Sequence, residues 1–301
     1  MTSQLSSQQL TNISTLREVL SDPSDPCITM SAHSPLSAKL ASQAGFPAIW
    51  VSGFELSASY AVPDASILPT STHLDTTRAI HEAIPTTPLV VDCDTGWGNA
   101  VNVAYNIPKF AAAGASAVVL EDKTFPKDSS LRPGGRQACV PLEEFQGKIR
   151  AAKESGGGVL VIARTEALIA DLGQDEAVKR ALAYAEAGAD AVLIQSKQKT
   201  PDEIISFGLA WKSLGSAVPL VLVPTSYPQL SFSDIGELGV VGMVICGNHA
   251  IRAAMAGMQK CFRHIRDGGG IGAVESEIAS VKDVFETMGD PELRELEKRY
   301  L

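Results

Sequence analysis

The sequence predicts an α/β fold, a (β/α)8 barrel of the TIM type, and three observations predict it. Apolar, β-branched runs of strand length occur eight times, most stretches between them show helical periodicity, and a glycine precedes four of the runs. Strands that are apolar along their whole length are typical of a parallel sheet covered on both faces. Eight such strands joined by helices favour a closed barrel over an open doubly wound sheet. We therefore expect a single barrel domain over residues 1–301.

The strands are predicted where the apolar runs lie, at 28–32, 47–53, 88–94, 117–122, 159–166, 191–196, 219–226 and 240–247. Helices are predicted between and after them, at 34–44, 72–84, 100–113, 141–154, 173–187, 200–214 and 250–266. In the helix at 173–187, Asp175 and Glu176 lie in the first turn and Gly188 follows the last. Glycine ends a helix readily because it adopts a left-handed backbone without a Cβ clash.

Two segments at the ends of the chain fall outside this repeat. Residues 1–25 form an N-terminal segment that begins with Ser, Gln and Thr, and residues 270–301 form a C-terminal tail. The tail has apolar residues at helical spacing: Val281, Val284, Phe285, Met288, Leu293, Leu296 and Tyr300. This pattern predicts an amphipathic helical segment that packs on the barrel or swaps onto a neighbouring subunit. We therefore expect a homo-oligomer.

A third segment, residues 123–140, is much longer than the roughly 2–6 residues usual for a loop between a strand and a helix. It contains four basic residues, which are Lys123, Lys127, Arg132 and Arg136. Such a composition is typical of a mobile lid that closes over an anionic substrate and excludes water. A solvated surface loop is the alternative, and it is less favoured because this loop follows a strand that ends at the catalytic face of the barrel.

Charge and hydropathy exclude several classes of partner. The chain has 34 acidic and 25 basic residues, a formal net charge of −9 and no cluster of Lys and Arg, which argues against nucleic acid. No apolar run approaches the roughly 18 residues that span a bilayer, and the N-terminus does not resemble a secretion signal. The five cysteines are scattered and odd in number, so free thiols are expected. A cytoplasmic protein without a membrane partner is predicted.

Acidic residues end two successive predicted strands. Asp92 and Asp94 are two residues apart, which on a strand places both on one face, and Glu121 ends the next strand. Three hard oxygen donors with no histidine beside them suit Mg²⁺ or Mn²⁺ better than zinc. Each carboxylate by itself has a simpler explanation, as a helix cap or an ion-pair partner, but three together favour a metal site.

The fifth predicted strand ends near Arg164, at the same mouth of the barrel. A guanidinium group is a bidentate partner for a carboxylate or a phosphoryl group. An ion pair with one of the three acids explains this position equally well on spacing alone, and both alternatives stay open.

Three motifs together carry a family resemblance: Asp92-x-Asp94-Thr95-Gly96-x-Gly98-Asn99, Glu121-Asp122-Lys123-x-Phe125-Pro126-Lys127 and Ala163-Arg164-x-Glu166-Ala167. They resemble the phosphoenolpyruvate mutase/isocitrate lyase superfamily, and the resemblance extends from about residue 31 to residue 301. The superfamily members that cleave carbon–carbon bonds have a Lys-x-Cys-Gly-His loop where this chain has Lys123 to Lys127 without a cysteine. The chain is therefore most similar to the branch that acts on phosphonates.

Within that branch, the segments 52–64 and 223–230 most resemble enzymes that hydrolyse phosphonopyruvate. The resemblance implies a hydrolase that cleaves the C–P bond of 3-phosphonopyruvate to pyruvate and phosphate. The alternatives are a phosphomutase that converts phosphoenolpyruvate to phosphonopyruvate, and a C–C lyase acting on a 2-oxo or 2-hydroxy acid. Ser129 favours the hydrolase, because the mutases have an asparagine at this lid position and the hydrolases a hydroxyl residue.

The resemblance also implies residue roles. Asp92, Asp94 and Glu121 would hold Mg²⁺, with Mn²⁺ or Co²⁺ as substitutes. Asp64, Lys127, Ser129 and Arg164 would be catalytic, and Ser52, Gly53, Phe54, Ser130, Arg164 and Gln195 would bind the substrate. Relatives form tetramers from dimers with exchanged C-terminal helices, so the same assembly is expected.

One position departs from the family pattern. The relatives usually have a histidine in the segment of the sixth strand, where this chain has Gln195. A glutamine donates a neutral hydrogen bond but does not transfer a proton. The exchange is either tolerated or marks a different substrate.

Overall fold

The computed structural model describes residues 5–301, and within them eight parallel strands close into one barrel. The strands pair in chain order and the last pairs with the first, with Cys27 opposite Met243. Their bounds are β1 Cys27–Ala32, β2 Ala48–Val51, β3 Leu89–Asp92, β4 Ala117–Glu121, β5 Leu160–Thr165, β6 Ala191–Ile194, β7 Leu220–Leu222 and β8 Val241–Cys246. The predicted (β/α)8 barrel is confirmed.

Helices precede, connect and follow these strands. Their bounds are α1 Ser7–Leu20, α2 Pro35–Gln43, α3 Gly53–Ser59, α4 Thr70–Ala83, α5 Ala100–Ala112, α6 Leu142–Ser155, α7 Gln174–Glu186, α8 Asp202–Ser213, α9 Phe232–Glu237, α10 His249–Gly268, α11 Val281–Met288 and α12 Asp290–Tyr300. Every strand except β1 is buried along almost its whole length, because its side chains meet the barrel interior on one face and the helices on the other.

Several strands are shorter than predicted at their carboxyl ends. β2 stops at Val51 because the side chain of Ser52 caps α3, accepting the backbone N–H of Glu55 at 3.2 Å. β7 stops at Leu222, and a 3-10 turn at Pro224–Ser226 follows. In both places the chain leaves the strand at the mouth of the barrel, into α3 after β2 and into the 3-10 turn after β7.

The predicted polar segment 1–25 contains a helix that the sequence did not indicate. Residues 1–4 of that segment lie outside the described residues. After residue 4, Ser6 and Gln9 form a capping box at the start of α1. The side chains of Leu16 and Leu20 are buried on the inner face of this helix.

The described chain divides into two compact units, and the boundary along the chain lies between His249 and Ala250. The first holds the barrel. The second, Ala250–Leu301, holds most of α10 together with α11 and α12, which confirms that the tail is helical. Many apolar side chains in the second unit are exposed, among them Met255, Met258, Phe262, Val281, Val284, Phe285, Leu293 and Leu296. The prediction of one domain followed by a tail from residue 270 stays a prediction.

Among residues 5–301, no helix is both long enough and apolar enough to cross a lipid bilayer.

Candidate active site

The carboxyl ends of the strands surround a cavity of about 60 Å³, and the lid, residues 123–140, contributes to its wall. Most residues predicted for the site line this cavity: Ser52, Phe54, Asp64, Asp92, Glu121, Lys127, Ser129, Ser130, Arg164 and Gln195. Gly53 and Asp94 lie directly behind the lining, since a Cβ atom on Gly53 would stand 3.1 Å from an oxygen of Asp92 and of Asp94. The structure therefore brings all the predicted site residues together.

The two aspartates at the end of β3 converge through a tight turn. The sequence pattern instead predicted that both lie on one face of the strand. β3 ends at Asp92, and Asp94 lies in the turn with a left-handed backbone (φ +48°). Its N–H donates to Oδ1 of Asp92 at 3.2 Å, which holds the two carboxyl groups close together. The buried side chain of Lys148 steadies this turn by donating to the carbonyl oxygen of Thr95 at 3.0 Å.

Lys127 from the lid reaches into this group of carboxylates. Its Nζ atom lies 2.9 Å from Oδ1 of Asp64 and 2.5 Å from Oδ1 of Asp94. Burial alone would lower the pKa of Lys127, but the charges of Asp64 and Asp94 raise it well above its usual value. Burial raises the pKa of Asp94 to about 7, although Lys127 opposes the shift. The ammonium group thus partly neutralises a dense cluster of negative charge.

Ser129 in the lid faces the same cluster. Burial would raise the pKa of Asp64, but Lys127 and a hydrogen bond from the Ser129 side chain lower it overall. Asp64 is therefore an ionised carboxylate that joins two lid residues, Lys127 and Ser129, at the edge of the cavity.

The residues at this pole fit a hard divalent cation. Oε1 of Glu121 is buried without a hydrogen-bond partner, and Oδ1 of Asp94 has the ion pair with Lys127 but no hydrogen bond of good geometry. Unsatisfied carboxylate oxygens are costly to bury, and Mg²⁺ prefers such oxygen ligands. No three acidic, histidine or cysteine side chains in residues 5–301 already stand in a metal-binding arrangement. The ammonium group of Lys127 lies among the carboxylates instead.

The second pole of the cavity is the guanidinium group of Arg164, near the end of β5 and beside Glu121. Its Nε donates to Oε1 of Glu166, and its Nη2 donates to Ser130 Oγ at 2.9 Å and to Gln195 Oε1 at 2.5 Å. Glu121 lies 3.5 Å from Nε. Gln195 therefore orients Arg164 by accepting a hydrogen bond.

Charge balance fixes the ionisation of this pole. Burial would lower the pKa of Arg164, but Glu166 and Glu121 raise it overall. Burial would likewise raise the pKa of Glu166, and Arg164 and Lys123 lower it instead. A buried cation therefore lines the cavity beside the carboxylate of Glu121.

A second network lies beneath Arg164 and fixes the ends of β4 and β5. The carboxylate of Asp122 accepts hydrogen bonds from the Tyr184 hydroxyl at 2.7 Å, the N–H of Glu166 at 2.8 Å, and Arg180 and Thr165 at 3.2 Å each. Its side chain is inaccessible to solvent. Because buried networks with every group satisfied are rigid, this one holds the strand ends that carry the site.

The N-terminus of α3 differs in detail from its predicted role. Ser52 and Gly53 were predicted to bind a substrate carboxylate and an enolate oxygen. In the structure Ser52 Oγ caps α3, and the N–H of Gly53 donates to Oδ2 of Asp92 at 3.2 Å. Gly53 also allows this close approach because it has no side chain. Their contact with a substrate stays a prediction.

Several buried residues of the site were not predicted. Lys123 and Glu166 both belong to the motifs that carry the family resemblance, yet neither was assigned a role. Their charged groups lie 3.1 Å apart, with side chains 2% and 0% exposed. Trp50, Thr225 and Asn248 also line the cavity. Trp50 lies within β2, Thr225 lies in the 3-10 turn after β7, and Asn248 follows β8. The available signal was that each lies near the carboxyl end of a strand.

Comparison with known proteins places these observations in a family. The family model described as phosphoenolpyruvate phosphomutase matches residues 16–266. The phosphonopyruvate hydrolase of Variovorax sp. (strain Pal2) is 60% identical over 274 residues, which cover 90% of this chain and 93% of that protein. The phosphoenolpyruvate phosphomutase of Tetrahymena pyriformis is 39% identical, covering 92% of this chain and 91% of that protein.

Solved structures are similar over almost the whole chain. A phosphonopyruvate hydrolase in complex with oxalate and Mg²⁺ has a TM-score of 0.89 at 55% identity, covering 96% of this chain and 99% of that chain. A phosphoenolpyruvate phosphomutase from Streptomyces platensis subsp. rosaceus has a TM-score of 0.91 at 42% identity, with the same coverage.

Proposed function

The chain belongs to the phosphoenolpyruvate phosphomutase family, and from that premise we propose that it is a Mg²⁺-dependent hydrolase that cleaves the C–P bond of 3-phosphonopyruvate. The products are pyruvate and inorganic phosphate. The observation that carries this function is the two-pole cavity, in which a cluster of carboxylates faces the guanidinium group of Arg164. Extensive identity with the Variovorax hydrolase supports the same reaction.

The two poles match the two ends of the substrate. Arg164 is the cation that binds the phosphonyl oxygens, because its buried positive charge lines the cavity and a guanidinium group forms strong charge-assisted hydrogen bonds to such oxygens. Asp92, Asp94 and Glu121 are the residues that would hold Mg²⁺ at the pyruvyl end. When bound, the ion supplies positive charge that stabilises the enolate oxygen.

The reaction balances with water as its only co-substrate. The C–P bond breaks, its electron pair remains on the carbon as pyruvate enolate, and the oxygen of water bonds to phosphorus. The enolate carbon then takes up a proton to give pyruvate. Arg164 neutralises the charge on the phosphonyl oxygens as it develops, which is the main catalytic task in phosphoryl transfer.

Asp64 and Ser129 are placed to orient the attacking water. The Ser129 side chain helps to lower the pKa of the Asp64 carboxyl group, and both residues line the cavity. The lid excludes other water from the bond that breaks. Mn²⁺ and Co²⁺ are proposed as substitutes for Mg²⁺, because both accept carboxylate oxygen ligands.

Incubation with phosphonopyruvate and Mg²⁺, followed by ³¹P NMR and a pyruvate assay, tests this function. Equal amounts of pyruvate and phosphate are expected, and Asp92→Ala should abolish both. Ser129→Asn should slow phosphate release, because its amide occupies the position of the hydroxyl that orients water. Phosphoenolpyruvate as the product of the unaltered enzyme would identify a phosphomutase, and unchanged phosphonopyruvate would refute both activities.

We further propose that the enzyme is a tetramer built from dimers that exchange C-terminal helices. The exposed apolar side chains of Ala250–Leu301 support it, since such a surface is stable in water when a second copy covers it. Sedimentation should give a tetramer, and Phe262→Glu with Phe285→Glu should give smaller species.

A cytoplasmic location is also proposed, with which five cysteines free of disulfides are compatible.

A further inference from the structure

Ser130 in the lid is the meeting point of three charged side chains. Its Oγ lies 2.6 Å from Nζ of Lys123, 2.9 Å from Nη2 of Arg164 and 2.6 Å from Oε2 of Glu166. We propose that Lys123 and Glu166 are positioning residues which, through the hydroxyl of Ser130, couple closure of the lid to the orientation of Arg164. This inference rests on the proposed function, because it assigns Arg164 to the phosphonyl group.

The hydrogen-bonding capacity of the Ser130 hydroxyl is filled by these three contacts. A hydroxyl has one proton to donate and two lone pairs that accept. Lys123 and Arg164 have only protons to offer, so each takes one lone pair, and the proton goes to the Glu166 carboxylate. The hydroxyl then has no proton left for a substrate oxygen. In this arrangement the hydroxyl contacts Arg164, and the substrate contact of Ser130 stays a prediction.

The network joins the lid to the fixed end of β5. Lys123 begins the lid, and its Nζ also donates to the carbonyl oxygen of Asp128 at 2.7 Å, near the lid tip. Glu166 follows β5, and its N–H is fixed by the buried carboxylate of Asp122. Ser130 therefore contacts the charged groups of Arg164 and Glu166, at the end of β5, only when the lid is folded over the cavity.

The same network determines which edge of Arg164 faces the substrate. Nε is bound to Glu166 and Nη2 to Ser130 and Gln195. Nη1 makes no hydrogen bond to residues 5–301 and remains for a phosphonyl oxygen. If the lid opens, Nη2 loses Ser130 and the guanidinium group gains freedom to rotate, which weakens its hold on the transition state.

Three variants test the coupling by the balance of donors and acceptors. Glu166→Gln places an amide NH2 beside Lys123 and Ser130, where no acceptor is left for it. Lys123→Met removes a donor and frees one lone pair of Ser130. The double variant gives the new amide NH2 an acceptor, because the glutamine then donates to the Ser130 lone pair that Lys123 leaves and still accepts from Arg164. The Ser130 proton loses Glu166 as its acceptor in the single and the double variant alike, so the recovery is partial. The double variant does not restore the bond from Lys123 to Asp128.

Steady-state kinetics with phosphonopyruvate and Mg²⁺ should separate two effects. We expect Glu166→Gln to lower kcat at least tenfold, and the double variant to recover at least threefold of that loss. Lys123→Met and the double variant should both keep a raised KM, because the lid tip has lost one bond. Ser130→Ala, the smallest change, should lower kcat and raise KM together, and it serves if Glu166→Gln does not fold.

Lid closure has a readout that needs no turnover. Arg136 is exposed in the lid and precedes Gln137, so trypsin cleaves there when the lid is open, whereas Arg132 precedes proline. Mg²⁺ with oxalate should slow cleavage in the unaltered protein, and Ser130→Ala should reduce that protection at least threefold. Asp190→Asn is the matched control, since Asp190 is a half-buried carboxylate bound to Arg17 and Lys153 at the other end of the barrel.

The outcomes distinguish this inference from the proposed function. If Glu166→Gln keeps kcat within threefold, or the double variant is no better than Glu166→Gln, the two residues are merely structural and the proposal is overturned. A loss of the same size in Asp190→Asn overturns it as well. If the unaltered protein does not hydrolyse phosphonopyruvate, the proposed function fails, and trypsin protection still decides whether Ser130 holds the lid.

Discussion

Nζ of Lys127 lies 2.5 Å from Oδ1 of Asp94, one of the three carboxylates that the sequence predicts as metal ligands. If Asp94 holds Mg²⁺ as proposed, a lid residue shares its carboxylate partner with that ion. Two cations beside one carboxylate repel each other, so the proposal links the position of the lid to the affinity for the metal.

Lys127→Met should strengthen Mg²⁺ binding and weaken hydrolysis. Two unit charges about 4 Å apart interact by about 1 kcal/mol in bulk water and by about 4 kcal/mol near a protein surface, so a gain in Mg²⁺ affinity of at least about tenfold is expected. Calorimetric titration of the substrate-free protein measures it. Lys153→Met, which removes a lysine paired with Asp190 away from the site, is the control and should leave the affinity unchanged. Weaker binding in Lys127→Met would show that the lysine assists the ion.

Gly53→Ala should reduce activity without unfolding the barrel. The new Cβ would stand 3.1 Å from oxygens of Asp92 and Asp94, so the carboxylates must shift by a few tenths of an ångström. We expect kcat/KM to fall about tenfold, because catalysis depends steeply on such placement. The control is Gly257→Ala in α10, where no atom lies within 4 Å of the new Cβ and helix propensity predicts a gain of about 0.5–1 kcal/mol. Equal activities in both variants would contradict the prediction.

Gln195→His should introduce a new acid limb into the pH profile of kcat/KM. The Gln195 side chain accepts a hydrogen bond from Arg164, and only a neutral imidazole replaces that acceptor. Below the pKa of the new histidine, its positive charge repels Arg164. Burial and the charge of Arg164 should lower the pKa of this histidine below its usual value of about 6.5, so activity should fall by up to about tenfold per pH unit below that lowered pKa. Gln146→His on α6 is the control, and a profile unchanged from that of the parent would refute the role given to Gln195.

His73→Phe should make the fold less sensitive to acid. Burial lowers the pKa of His73 to about 4, so the native state keeps this ring neutral while the unfolded state binds a proton below about 6.5. Because the unfolded state then binds more protons, native stability decreases as the pH falls from about 6.5 to about 4. Between pH 7 and pH 5 the parent should lose about 2 kcal/mol more than the variant.

Urea unfolding at both pH values measures this difference. Phenylalanine is chosen because it preserves an edge contact with Trp97, whose ring centroid lies 5.5 Å from that of His73. The same pH dependence in parent and variant would show that His73 does not titrate in this way.

The barrel was predictable because burial on both faces leaves a continuous apolar signal at every strand. α1 was not, since two of its buried residues are polar. Gln9 donates to the carbonyl oxygen of Ala111 at 2.8 Å and Asn12 to that of Pro85 at 3.0 Å. A helix that docks through side-chain amides shows a weak apolar stripe. α9, at Phe232–Glu237, is too short for its periodicity to be visible.

In the site, strand ends were predictable and loop conformations were not. The motifs placed Asp92, Glu121 and Arg164 at one mouth, because parallel strands end at the same edge. That Asp94 turns inward on a left-handed backbone depends on the loop after β3, and that Lys127 faces it depends on the lid. Neither path has a repeating pattern from which a side-chain direction follows.

The Asp122 network separates the base of the site from the lid tip. Asp122 and its partners Tyr184 and Arg180 fix the ends of β4 and β5 without using the side chains of the lid tip. Substitutions in the tip therefore change the contacts at the cavity and leave this base intact. The tip is for this reason the part of the site in which mutagenesis for altered specificity puts folding least at risk.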